Sequence, residues 1–172
     1  MPRYAAFLRG VNVGGVNLKM ADVAAALSDA GFDNVKTILA SGNVLLDSRS
    51  KTPQVRKAAE AALRKAFGYD AWVLAYDIDT VAAISDNYPF EREVPDTHSY
   101  VTFVSDPDVL DELAALTPGP EERIERGEGV IYWQVPRSKS LDSAMGKTMG
   151  KKRYKSSTTT RNLRTLDKVL RR

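Results

Sequence analysis

The sequence predicts an α+β fold of two ferredoxin-like halves, the second degenerate, with antiparallel sheets and helices packed on one face. Three observations predict it. Strand-length apolar runs and amphipathic helical runs follow the order β-α-β-β-α-β over residues 1–77, the split βαβ pattern. After a bridge at residues 78–97, an order of β-α-β-β-α begins again over residues 98–172. Each half carries a hairpin signal between its second and third strands: Ser41-Gly42-Asn43, then Gly127-Glu128-Gly129.

In the first half, Tyr4 to Leu8 is an apolar run that reads as a buried strand. Met20, Val23, Ala24 and Leu27 then recur at the spacing of one helix face, and Gly31 supplies a terminator. Val35 to Leu39 and Val44 to Leu46 flank the first hairpin turn. Thr52-Pro53 reads as an N-cap followed by proline at the first helical position. That helix runs through Val55, Ala59, Leu63 and Phe67 to Gly68, and Ala71 to Tyr76 closes the half as a strand.

The bridge holds a short helix, Thr80 to Ile84, and the loop NYPFEREVPD. Tyr100 to Val104 opens the second half as a strand. Asp106-Pro107 caps a helix bearing Leu110, Leu113 and Leu116, ended by Pro118-Gly119-Pro120. Arg123 to Glu125 and Val130 to Gln134 flank the second hairpin turn, and a short helix is expected around Leu141 to Met145. The last helix is expected from about Thr160, with Leu163, Leu166 and Leu170 on one face. No closing strand is legible for this half.

Composition narrows the chemistry. The 172 residues include no cysteine, which excludes disulfides, thiolate nucleophiles and cysteine-ligated metals. One histidine and scattered carboxylates give no metal-ligand spacing, so no metal site is expected. The opening MPRYAAFLRG lacks a signal-peptide core, and no run is long enough to span a bilayer. A cytoplasmic protein without membrane contact is the expectation. Charge is uneven: residues 1–145 balance to −6, while residues 146–172 carry 10 basic residues against Asp167 alone. Such a tail attracts phosphate-bearing partners, or serves as a solvated basic helix.

RGVNVGG follows the first strand, Met20 opens a helix, SGN stands at 41–43, and TTRN with Thr165 lies near the end. As a set these resemble the bacterial domain-of-unknown-function family 1697. The resemblance implies a small bacterial α+β protein and supplies no reaction or cofactor. Its matching positions are Arg9, Gly10, Asn12, Gly14, Gly15, Ser41, Gly42, Asn43, Thr160, Arg161, Asn162 and Thr165. Family members often carry tryptophan after the Arg-Asn pair, where this chain has Leu163.

Two stretches have the chemistry of an anion site. LRGVNVGGVN lacks the G-x-G-x-x-G order of a dinucleotide loop and the lysine of a phosphate loop. It offers glycine N–H groups beside Arg9, just before a helix start. The alternative is that Gly14 and Gly15 only supply positive φ at a tight link. SSTTTRN offers five consecutive hydroxyls where one cap suffices, and it puts Arg161 in a first helical turn, where the dipole disfavours a cation. A bound anion gripped by Arg161 and Lys155 relieves that conflict; a flexible linker with Arg161 in solvent is the alternative.

Other signals are weaker. Gly146-Lys147-Thr148 lacks the earlier glycine and the preceding strand of a phosphate loop. Ser41-Gly42-Asn43 fits turn chemistry. His98 beside Asp96 has no nucleophile motif and reads as a surface histidine. Tyr132 and Trp133 are adjacent and so face opposite ways, which makes the sheet a poor platform for stacking bases.

The leading expectation is a phosphate-bearing ligand held by Arg9, Asn12, Gly14, Gly15, Lys155, Thr160, Arg161 and Asn162. The alternatives are sequence-independent nucleic-acid binding through residues 147–172, and an enzyme acting on a small phosphorylated substrate through His98 or Ser41. No catalytic constellation is visible.

Overall fold

β1 (Arg3–Leu8) is the hub of a four-stranded antiparallel sheet of order β2-β3-β1-β4. Its partners are β3 (Asn43–Asp47), with Phe7 opposite Asn43, and β4 (Val73–Asp77), with Phe7 opposite Leu74. β2 (Asp33–Ile38) pairs with β3 and is the edge strand. A computed structural model gives this architecture and describes residues 1–9, 17–92, 94–139, 143–149 and 151–171. α1 (Met20–Asp29) and α2 (Thr52–Phe67) bury Val23, Leu27, Val55, Ala59 and Leu63 in one core with Tyr4, Ala6 and Leu8. α2 ends on Gly68 in the left-handed conformation, whose N–H donates to the Arg64 carbonyl at 2.9 Å. Its cap position is Lys51 rather than Thr52, which lies inside the first turn with Pro53.

α3 (Ile78–Asp86) follows β4 directly and starts two residues earlier than the bridge helix expected from Thr80. Asp77 explains the shift: its Oδ1 accepts from the Thr80 N–H at 2.8 Å and the Thr80 hydroxyl at 2.9 Å.

The second sheet has order β6-β7-β5-β8, the same topology as the first. β5 (Thr97–Val104) lies between β7 (Val130–Pro136) and β8 (Thr158–Asn162), and β6 (Arg123–Arg126) is the edge. The closing strand missing from the sequence reading is therefore present. It is the Thr-Thr-Thr-Arg-Asn segment, which was expected to begin a helix. Three β-branched residues in succession favour extended backbone, and pairing with β5 holds them there. The last helix, α6 (Leu163–Leu170), starts after it.

α4 (Pro107–Ala114) is capped by Asp106, whose side chain accepts from the Asp108 N–H at 2.9 Å. The second half is degenerate only in its second crossover. Where the first half has α2, this one has the short α5 (Ala144–Met149) between 3-10 turns at Arg137–Lys139 and Lys152–Tyr154. Leu141 of the expected helix lies outside the described residues. Val109, Leu110, Leu113, Met145 and Met149 pack with Ile131, Trp133 and Val135. Tyr132 points to the other face, where its hydroxyl donates to the Ile84 carbonyl at 2.7 Å.

The chain divides into two compact units, Met1–Ala82 with Lys168–Arg172, and Ala83–Asp167.

Candidate functional site

In an antiparallel sheet the start of one strand lies beside the ends of its neighbours. Thr97 therefore sits opposite Pro136 at the end of β7, and Tyr100 sits opposite Asn162 at the end of β8. Two further elements leave from this sheet edge. The turn after β7 carries Arg137, whose N–H donates to the Asp96 carbonyl at 2.8 Å. α6 leaves β8 through Asn162, whose Oδ1 caps it by accepting from the Thr165 N–H at 2.8 Å. Together they enclose a pocket of about 210 Å³ lined by Arg92, Val94, Thr97, His98, Ser99, Arg137, Asn162, Leu163, Arg164 and Asp167.

The charges of this pocket do not balance. Arg92 reaches Asp167 at 3.3 Å and also donates to the Ser85 carbonyl at 2.8 Å, so the pocket's carboxylate is already paired. Arg137 and Arg164 are exposed, and neither has an ion-pair partner among the described residues. Arg164 stands in the first turn of α6, which carries no acidic residue. The positive end of the helix dipole meets a cation there. His98 is half-buried and stacks on Tyr100 at 5.2 Å between centroids. Burial, then the nearby Arg137 and Arg164, hold its pKa below the ordinary histidine value. The imidazole is accordingly neutral at pH 7 and offers one donor and one acceptor nitrogen.

A larger pocket of about 530 Å³ opens in the first unit, lined in part by Arg3, Asn34 and Asp47. Its polar groups are engaged with one another. Arg3 donates to Asp47 at 2.8 Å, and the Asn34 side chain donates to the same carboxylate at 2.7 Å. That network has less to offer a ligand than the unpaired arginines of the second unit.

The residues nominated from sequence fall in different places. Asn162 lines the basic pocket. Thr160 is half-buried in mid-strand, its hydroxyl 2.7 Å from that of Thr102. Arg161 is buried in β8 rather than placed in a helical first turn. Its Nη1 donates to the Thr159 hydroxyl at 2.7 Å and to the Thr160 carbonyl at 2.8 Å. Lys155 is exposed after the second 3-10 turn and is not among the pocket-lining residues. Arg9 belongs to the first unit and is half-buried, with its guanidinium pKa lowered by burial. Asn12, Gly14 and Gly15, together with Gly10, lie outside the described residues.

One segment of the family pattern, Ser41-Gly42-Asn43, meets the end of β1 in the first unit. The Leu8 N–H donates to the Gly42 carbonyl at 2.8 Å, which sets Ser41-Gly42-Asn43 beside the end of β1. Asn43 is buried and donates to the Ser41 hydroxyl at 2.9 Å and the Ile38 carbonyl at 2.8 Å. These bonds hold the turn in shape.

The sequence reading missed Arg92, Arg137 and Arg164. For Arg164 a signal existed: a cation in a first helical turn, assigned three positions early to Arg161. Arg92 and Arg137 share a pocket with His98 only once the second unit is folded. Among the described residues no group of three or more His, Asp or Glu side chains is placed to hold a metal ion. No described helix is long and apolar enough to cross a membrane.

The structure of the conserved bacterial protein SP0830 from Streptococcus pneumoniae matches 99% of this chain and 97% of its own, with a TM-score of 0.81. At 22% identity that likeness shows the shared fold alone. No curated protein matches the chain. The model of the family described as protein of unknown function (DUF1697) matches residues 1–132, well over half of the sequence, and the chain belongs to that family.

Proposed function

We propose that the second unit binds a small phosphate-bearing ligand in the pocket formed by Arg137, Arg164, His98 and Asn162. One observation supports this above the rest: two arginines with no carboxylate partner among the described residues share one pocket with the positive end of α6. Helix starts favour anions, and arginine forks match the oxygens of phosphate. The volume, about 210 Å³, is below the usual range for drug-sized ligands, which favours a compact phosphorylated molecule over a nucleotide. Of the residues nominated from sequence, Asn162 enters this reading directly, and Thr160 and Arg161 serve it by fixing β8.

Nucleic-acid binding through the basic C-terminal segment draws less support. Arg153 is paired with Glu112, and Arg161 is buried with acceptors of its own. Trp133 and Tyr132 are both buried, so neither ring presents a face for base stacking.

The test is calorimetric titration with inorganic phosphate and small phosphate monoesters. Arg164→Ala and Arg137→Ala are each expected to weaken binding about tenfold, the loss of one charge-assisted contact. Absence of binding, or a double variant that binds like the parent, overturns the reading.

A further inference from the structure

We infer that this pocket selects a doubly charged oxyanion over a singly charged one and that His98 takes up a proton as the dianion binds. The inference rests on the anion-pocket reading above and adds the charge class of the ligand and the group that reads it.

The charged and titratable groups that share the pocket with His98 come from several elements, and Arg137 and Arg164 are the two that act on its charge. Arg137 comes from the turn after β7, Arg164 and Asp167 from α6, and Arg92 from the segment before β5. Tyr100 comes from β5 itself, stacked on the imidazole, and Asn162 brings an uncharged amide from β8. Arg92 and Asp167 pair at 3.3 Å and cancel. Two guanidinium groups remain, and both repel a charged imidazole. A dianion cancels both. Its oxygens keep lone pairs free beyond those that two arginine forks engage, so the imidazole gains by donating as a cation. A monoanion cancels only one guanidinium and leaves protonation of His98 opposed. The sign follows: binding raises the His98 pKa, so the added affinity is full below the free-state pKa. It is lost as pH rises through the bound-state pKa.

Sulfate is the probe because it stays doubly charged where a phosphate monoester changes charge, near pH 6. Methanesulfonate is its singly charged counterpart. His98 is the one histidine of the chain, so its ring protons give an unambiguous NMR titration. With sulfate the His98 midpoint is expected to rise by about one unit, and sulfate affinity to rise about tenfold as pH falls from above the bound-state midpoint to below the free-state midpoint, both read from the same titration. Methanesulfonate is expected to do neither, and His98→Gln to flatten the pH dependence for sulfate. Sulfate that binds with an unmoved His98 midpoint and a flat pH profile overturns this inference and leaves the anion pocket standing. Failure of sulfate to bind, or equal binding when Arg137 and Arg164 are both replaced by alanine, overturns both. The wild-type NMR titration decides the matter even if the His98 variant fails to fold.

Discussion

The Glu122 carboxylate accepts the backbone N–H of Met145 at 3.1 Å in the interior of the second unit. Its other oxygen accepts the N–H of Ala144 at 2.9 Å and that of Gly119 at 2.8 Å. The start of α5 therefore has an anion already, supplied by the chain. This explains why Gly146-Lys147-Thr148, for all its likeness to a phosphate loop, offers a phosphate no cradle. α6 is the contrasting case, with a cation and no acid in its first turn.

Removing that internal anion exposes its value. Glu122→Ala strips three backbone N–H groups of a charged acceptor and is expected to cost about 3 kcal/mol. Glu122→Gln keeps one acceptor oxygen and is expected to cost about half as much. Urea unfolding with an unchanged m-value measures both. A loss under about 0.5 kcal/mol for the alanine variant means that these N–H groups find other partners.

A second polar device lies in the same sheet. The Trp133 indole N–H donates to the Thr102 hydroxyl at 3.0 Å, and that hydroxyl lies 2.7 Å from Thr160 Oγ1. Thr102→Val leaves the buried indole N–H without its acceptor and is expected to cost about 2 kcal/mol. Thr160→Val is expected to cost about 1 kcal/mol or less, because the indole keeps its partner and position 160 is half-exposed. Equal losses at the two sites would show that the indole bond is not what Thr102 supplies.

These two devices mark where the sequence was hard to read. The first half announced itself because its strands and helices are apolar with clean periodicity: Tyr4 to Leu8 and Val55, Ala59, Leu63 need no partner to be recognised. β8 is buried yet made of threonines, so it carries no apolar alternation. Its burial rests on hydroxyl bonds such as Thr158 Oγ1 to the Tyr154 carbonyl at 2.7 Å, which no local pattern encodes. The sequence put an anion-friendly helix start within TTTRN, whereas α6 begins after that segment, at Leu163; of the residues it nominated, Asn162 lines the pocket. Arg92 and Arg137 come to share a pocket with His98 only in the folded second unit.

The β2–β3 turn makes a prediction with opposite signs at two positions. Leu39 holds φ at 62° and is 45% exposed, so it bears left-handed strain with little burial in return. Leu39→Asn is expected to stabilise the protein by about 0.5–1 kcal/mol. Gly42 has φ of 88°, where glycine is needed, and Gly42→Ala is expected to destabilise by 1 kcal/mol or more. Thermal midpoints that move the same way for both variants would rule out backbone strain as the cause.

Stability should depend on pH in two separable windows. The Asn34 amide, then Arg3, hold the Asp47 carboxyl pKa below its ordinary value. A depressed folded-state pKa gives stability that is present above the unfolded value, near 4, and lost as pH falls through the lower folded pKa. Asp47→Asn should remove this acid-side loss, so that parent and variant converge as the parent carboxylate protonates. His98 acts in a higher window. Burial, Arg137 and Arg164 lower its folded pKa, so the folded state favours the neutral ring. Its contribution is present above the unfolded value, near 6.5, and is lost as pH falls toward the folded pKa. His98→Gln should flatten thermal midpoints in this upper window and leave the Asp47 window unchanged. A His98 variant that altered the acid window instead would assign the upper titration to another group.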